Sequence, residues 1–284
     1  MKQMKFGKKK IVLIFAVVLI LVFGYFQNNV LTVSKYVYQN ENLPDSFADF
    51  RILQISDYHN KGGLFWEQNF WKVVVSLEPD MIVLTGDLLD SGKKDAEQAA
   101  RIASECQVIA PTYFITGNHE LWVDEELLAQ LLQELEDAGV TVLDNRAFYL
   151  TAEESDEAGG IALLGLSDRD LNNETLRELT EEIAAEHGEE EYIQILLAHE
   201  PQYINRYAAC NVDLVLAGHA HGGQIRLPGA GGIYAPDQGF WPEYTEGMHR
   251  VNDTTMIVSR GIGNSVFPLR LFNYPELVLV TLQQ

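Results

Sequence analysis

Residues 11–26 form sixteen consecutive positions without a charge, directly after Lys8-Lys9-Lys10. Only Gly24 and Tyr25 weaken the run. A spanning helix needs about 20 residues, with a lower limit near 17, and residues 27–31 can extend it into the interface. No A-x-A-like cleavage site follows, which favours a retained anchor over a removed leader. The reading is one transmembrane helix over 11–31, with a basic stretch at 1–10 that the positive-inside rule keeps in the cytoplasm.

Residues 32–48 are polar with some β-prone character and read as a linker. From residue 49 the apolar positions follow two periods. Short apolar runs at 49–56, 81–84, 113–117, 140–143, 147–150, 161–166, 192–198, 213–218, 254–259 and 277–282 have strand length. Segments 64–77, 94–110, 125–138 and 171–187 place apolar residues at helical spacing. In 125–138, Leu127, Leu128, Leu131, Leu132 and Leu135 share one face between an N-capping Asp124 and Gly139. The acidic stretch 151–160 reads as a hairpin loop. Helices alternate with strands first, and hairpin-like strands follow. That order predicts an α/β domain over 49–284 with mixed sheets covered by helices.

Charge changes the picture of partners. The net charge is −21, and the first ten residues hold five lysines, so setting those aside leaves −26 on residues 11–284. So acidic a domain is a poor general nucleic-acid binder, because such binding runs on Lys/Arg contacts to phosphate. An anionic substrate still fits if metal supplies local positive charge. The two cysteines, Cys106 and Cys210, sit in apolar contexts and read as buried thiols.

The chemistry lies at strand ends. Five apolar runs close on residues that can bind metal: Asp57-Tyr58-His59, Asp87, Asn118-His119-Glu120, His199 and His219-Ala220-His221. Five of the seven histidines fall there. Oxygen and imidazole donors without a thiolate suit Mn, Fe, Zn or Ni. Asp57, His59, Asp87, Asn118, His199, His219 and His221 are more ligands than one ion needs. Two divalent ions, with Asp87 bridging them, are the expected arrangement.

Asp57-x-His59, Gly86-Asp87-x-x-Asp90, Gly117-Asn118-His119-Glu120, His199 and Gly218-His219-x-His221 together resemble the motifs of the calcineurin-like metallophosphoesterases. The resemblance runs from about residue 50 to the C-terminus. The stretch from Gly218 to Pro228, with Ser259-Arg260-Gly261-Ile262-Gly263, is similar to a membrane-anchored bacterial branch called YkuE-like or YaeI-like. Relatives of that branch include UDP-2,3-diacylglucosamine pyrophosphatases. The resemblance implies a four-layer sandwich of two packed mixed sheets flanked by helices. It implies that Asp57, His59, Asp87 and His221 hold one ion and that Asp87, Asn118, His199 and His219 hold the other. His119 would face the substrate and protonate the leaving oxygen or stabilise its charge, and Asp90 would orient His119. Tyr58 and Ala220 stand at variable positions of the pattern.

The expected activity is hydrolysis of a phosphodiester or pyrophosphate in a lipid-linked or cell-envelope molecule, of the UDP-2,3-diacylglucosamine hydrolase type. The expected place is a bacterial cell membrane, single-pass, with the domain on the extracytoplasmic side. The alternatives are a phosphomonoesterase, a general phosphodiesterase, a nuclease, which the charge argues against, and a non-catalytic scaffold of the same fold. Arg226, Arg260 and Asn264 are candidate phosphate contacts, weighed against structural roles.

Overall fold

Strand Met81–Thr85 shows why the chain forms layers. Met81 and Val83 point to one side and Ile82 and Leu84 to the other, and all four are buried. Successive side chains on a strand face opposite ways, so a strand apolar throughout must be covered on both faces. The computed structural model describes residues 8–151, 159–169, 173–188, 192–265 and 267–284.

In chain order the elements are α1 (Lys8–Asn29), β1 (Thr32–Gln39), β2 (Arg51–Ile55), α2 (Leu64–Ser76), β3 (Met81–Thr85), α3 (Ala96–Ile109), β4 (Thr112–Ile115), α4 (Asn118–Leu121), α5 (Glu125–Asp137) and β5 (Thr141–Val142). They continue with β6 (Arg146–Leu150), β7 (Gly160–Gly165), α6 (Asn173–His187), β8 (Tyr192–Leu197), α7 (Ile204–Ala208) and β9 (Leu214–Ala217). Four two-residue strands follow: β10 (Arg226–Leu227), β11 (Gly231–Gly232), β12 (Tyr234–Ala235) and β13 (Gly239–Phe240). The last three are β14 (Gly247–Val251), β15 (Thr254–Val258) and β16 (Glu276–Gln283).

Two six-stranded mixed sheets form the body, in the orders β1-β16-β2-β3-β4-β5 and β14-β15-β9-β8-β7-β6. β2 to β5 run parallel, as do β7, β8, β9 and β15. One core lies between the sheets, where Ile52, Met81, Val83 and Ile115 meet Leu163, Ile195, Leu197 and Leu216. A second joins the first sheet to α2, α3 and α5 through Phe70, Ile102, Leu131 and Leu135. A third joins the other sheet to α6 and α7 through Leu179, Ile183, Ile204 and Tyr207. The result is four layers, helices–sheet–sheet–helices, as the family resemblance implies.

The stretch read as a linker, 32–48, is different. β1 pairs in parallel with β16 over its whole length, and Tyr38, Leu43 and Phe47 are buried. Lys35 and Val37 face out while Tyr36 and Tyr38 turn inward. That is strand alternation, with a lysine guarding the free edge. Only residues 30 and 31 separate α1 from β1. The domain therefore starts at the end of α1, without a flexible tether. β14 is a further strand that the pattern reading passed over, because only one of its faces is covered.

β6 and β7 pair antiparallel, with Leu150 opposite Ile161. The acidic stretch between them therefore connects a hairpin, although 152–158 lie outside the described residues. The predicted start of the 171–187 helix also lies outside them. Cys106 and Cys210 are free and buried. Tyr58 is a core residue, fully buried against Trp66 and Phe70.

Candidate metal centre

Parallel strands of both sheets end on one edge of the molecule, and the candidate ligands follow them. Asp57 and His59 come after β2, Asp87 after β3, Asn118 and His119 after β4, His199 after β8, and His219 and His221 after β9. Asp57, His59, Asp87, His219 and His221 all have positive φ, between 48° and 65°. Each such non-glycine residue costs on the order of 1 kcal/mol or more, and strain of this kind collects at functional sites. It turns each side chain sharply back over its strand end. Gly86, at φ 87°, permits this packing: a Cβ there would lie 2.5 Å from His199 Nδ1.

Two donor clusters share Asp87. The first is Asp57, His59, Asp87 and His221; the second is Asp87, His199 and His219. Asp87 Oδ2 is 3.5 Å from His59 Nε2 and 3.3 Å from His199 Nε2. His59 Nε2 and His221 Nε2 are 3.1 Å apart, and Asp57 Oδ1 is 3.4 Å from His221 Nε2. Asn118 Oδ1 completes the second cluster, 3.1 Å from His199 Nε2 and 2.9 Å from His219 Nδ1. Two donors bound at about 2.0–2.2 Å to one ion sit roughly 2.8–3.6 Å apart at ordinary coordination angles. Every one of these spacings falls in that window, so the donors fit two divalent ions.

Outer partners fix which atoms of His199, His219 and Asp57 face the clusters. The Thr85 carbonyl accepts from His199 Nδ1 at 2.8 Å, leaving Nε2 free to ligate. Asp237 Oδ2 accepts from His219 Nε2 at 2.9 Å, leaving Nδ1. Asp57 Oδ2 accepts from Ser56 Oγ at 2.6 Å and Oδ1 from His219 N at 3.0 Å. Burial pushes His59 down to about 3 and His219 down to about 4, so both imidazoles are neutral, the ligating form. Burial pushes the Asp57 carboxyl up to about 6. It acts on Asp87 the same way, but the His199 imidazole, by charge and by hydrogen bond, outweighs it and holds Asp87 well below the usual range.

Glu120 shapes the bridging loop from beneath. Fully buried, it accepts from Asp87 N at 2.8 Å, Leu89 N at 2.7 Å and Gly117 N at 2.9 Å. Glu120→Ala leaves three buried N–H groups unpaired, at about 1–3 kcal/mol each. The expected result is a loss of at least about 3 kcal/mol in denaturant unfolding. An unchanged midpoint would show that the loop does not depend on Glu120.

His119 lies beside the clusters. Its backbone N donates to Asp87 Oδ1 at 2.8 Å, and its ring sits 4.5 Å from His59 and 4.7 Å from Trp122. Ser91 N donates to His119 Nδ1 at 3.1 Å. That makes Nδ1 the acceptor and puts the proton on Nε2, which is 3.0 Å from Ser265 Oγ. The proton thus faces a cavity of 650 Å³ whose lining includes Asp87, Asn118, His219 and His221. Trp122, Ile225, Tyr234, Phe240 and Phe267 supply much of the remaining wall.

The expectation for Asp90 changes here. Its Oδ1 accepts from Gly92 N at 2.8 Å and Lys93 N at 3.1 Å, closing the loop that carries Ser91. Ser91, not Asp90, makes the hydrogen bond to the His119 ring, and Asp90 acts one step back by shaping the Ser91 turn. Arg226 and Arg260 pair with Glu246, and Arg260 also with Glu276 at 3.0 Å. Asn264 donates to Asn28 Oδ1 at 2.9 Å. These three side chains are engaged in structure. Asp237, Ser91 and Ser265 were invisible in the pattern, because turns are rich in Asp and Ser for reasons of their own.

The family profile for calcineurin-like phosphoesterases matches residues 50–223. YkuE of Bacillus subtilis, a metallophosphoesterase by name, is 31% identical over 268 residues, 91% of this chain and 88% of that one. The phosphodiesterase YaeI of Escherichia coli is 27% identical over 241 residues, 84% of each chain. A transmembrane protein with metallophosphoesterase domain from Bos taurus is 30% identical, over 85% of this chain and 54% of that one. Among solved structures, a dimetal phosphatase from Danio rerio has the same fold. It aligns with a TM-score of 0.50 at 12% identity, over 84% of this chain and 94% of that one. With the family profile spanning most of the domain and carrying all the strand-end motifs, the chain belongs to the calcineurin-like phosphoesterase family and is a metal-dependent phosphoester hydrolase.

Proposed function

We propose that the chain is a membrane-anchored, two-metal phosphohydrolase acting on a phosphodiester or pyrophosphate in a lipid-linked or cell-envelope molecule. The observation that carries the two-metal part is the position of Asp87 Oδ2, shared between His59 and His199. Asp57, His59, Asp87 and His221 would hold one ion, and Asp87, Asn118, His199 and His219 the other. When bound, the ions supply Lewis acidity toward the phosphoryl oxygens and lower the pKa of an attacking water. The chain's own residues do the rest. His119 presents an Nε2–H to the leaving oxygen and stabilises its developing charge by hydrogen bonding. Ser91 keeps that proton on Nε2, and Ser265 is placed to orient it. The apolar walls exclude water and take the organic part of the substrate.

The anchor reading is supported by α1, a helix long and apolar enough to cross a membrane. Its last turn is part of the folded domain. Gln27, 2% exposed, donates to Tyr274 Oη at 2.9 Å and accepts from Phe272 N at 2.6 Å. Cleavage after α1 would discard those bonds. The five lysines at 1–10 put the domain outside. Protease added to intact spheroplasts should therefore digest it, and protection until lysis would reverse the orientation.

For substrate, the name of the Escherichia coli relative favours a diester. The two-residue junction between α1 and β1 supports a cavity near the bilayer surface, where targets in the same membrane are favoured. The test compares the full chain with a form lacking residues 1–26, on vesicle-embedded and soluble phosphodiesters and pyrophosphates. Only the embedded ones should gain from the anchor. Equal rates for both forms on every lipid substrate, with a soluble metabolite turned over faster, would leave a soluble phosphodiesterase instead.

A further inference from the structure

We propose that the aromatic rim of the metal cavity is a membrane-docking surface, seated in the interfacial layer of the bilayer that α1 spans. This rests on the anchor reading above and extends it from the helix to the domain.

The rim is unusually apolar for an exposed surface. Phe240 is 74%, Trp241 62% and Trp122 61% exposed. Phe267 and Phe272 are exposed as well. Exposed apolar groups scattered singly mean little, but a contiguous set around a cavity mouth marks an interaction site. Trp122, Phe240 and Phe267 all line the one cavity that contains His119. Among the described lining residues, the only charged side chain outside the metal clusters is Asp237, and its carboxylate is engaged by His219.

Geometry says what covers the rim. The Phe272 ring packs edge-on against Phe23 of α1, at 5.8 Å. Leu269 Cδ1 lies 3.8 Å from where a Cβ on Gly24 would sit. Both α1 residues belong to the uncharged run 11–26. Phe23 is six positions before the end of α1, about 9 Å back along the helix axis. Segment 267–272 therefore reaches down the anchor to the depth of its apolar residues. The bonds from Gln27, and the one from Arg270 N to Asn28 Oδ1 at 3.0 Å, lock that segment to the helix. If α1 spans a bilayer, Phe272 and Leu269 are at its boundary, and Phe267 of the same segment, which lines the cavity, brings the rim to the headgroup layer. Trp and Tyr concentrate at that level because their rings are amphipathic. The occupant is therefore lipid rather than a second copy of the chain. A phosphoester in the same leaflet would meet the metals without leaving the interface.

The test reads depth and needs no turnover. The full chain is placed in phosphatidylcholine vesicles with or without bromine on the upper acyl chain, and tryptophan fluorescence is compared. The chain has four tryptophans, of which Trp66 is buried in the core with Trp71 packed against it. Bromine should quench the wild-type chain, and the double variant Trp122→Phe, Trp241→Phe should lose most of the quenched signal. Phe272→Asp, with all tryptophans present, should weaken the quench by lifting the rim. Equal quenching in wild type and the double variant would overturn the proposal. So would absent quenching together with a dimer on sizing in detergent, since a second copy would then cover the rim. If quenching is as expected but only soluble phosphodiesters are hydrolysed, the docking surface stands and the lipid-substrate reading fails.

Discussion

Asp87→Asn is expected to empty both metal clusters and abolish turnover. Asp87 Oδ2 faces His59 and His199 together, and among the described residues no other carboxylate belongs to both clusters. An amide at this position keeps the shape but removes the negative charge that two adjacent dications need between them. Losing an outer partner of a ligand costs about 10–100-fold in metal affinity or activity. That is the expectation for Asp237→Asn, since Asp237 holds the His219 ring from outside the clusters. Loss of the shared ligand should exceed it, with metal falling from about two ions per chain to a small fraction after desalting. Elemental analysis beside a phosphodiester assay checks both. Two ions retained in Asp87→Asn, or full activity in chelator-treated wild type, would mean that Asp87 is not the bridge.

His119→Gln should lower turnover by about 10²–10⁴-fold, the usual range for proton transfer by a positioned side chain. Metal content should stay near that of the wild type, because His119 offers its ring to Ser91 and Ser265 rather than to either cluster. Gln retains an N–H that can donate, but it lacks the imidazole ring that the Ser91 turn holds in place. The loss should therefore shrink for substrates whose leaving group needs no protonation, such as p-nitrophenyl esters. If the variant loses metal instead, His119 is a ligand and the assignment of roles is wrong. Ser91→Ala should move activity in the same direction by less, since the backbone N of Ser91 still fixes the tautomer.

The site was legible in the chain because its ligands are tied to strand ends. A buried strand is a short apolar run, and a ligand just beyond it stands out as a charged or imidazole group where the run stops. Asp57, His59, Asp87, Asn118, His199, His219 and His221 all showed themselves in that way. The helices were legible for a similar reason: α5 carries its leucines on one face between Asp124 and Gly139. β1 was not. An edge strand with one covered face and exposed Lys35 and Val37 has the composition of a linker, and only its pairing with β16 separates the two.

The amino-acid sequence by itself determined an α/β domain of mixed sheets covered by helices, the acidic surface, the apolar N-terminal helix and the donor set. Each of these follows from local pattern or from charge, which do not depend on what lies across the fold. The tertiary structure alone decided which atoms serve. Asp87 becomes the shared donor because β3 lies between β2, which ends on Asp57 and His59, and β4, which ends on Asn118. His219 presents Nδ1 because Asp237, eighteen residues later, holds Nε2. His119 keeps its proton toward the cavity because the Ser91 turn donates to Nδ1. The last turn of α1 joins the domain because Gln27 finds its partners near residue 273, some 245 positions away. Contacts between residues so far apart in the chain leave no periodicity, and turn residues such as Asp237, Ser91 and Ser265 carry the same composition whether or not they serve a site.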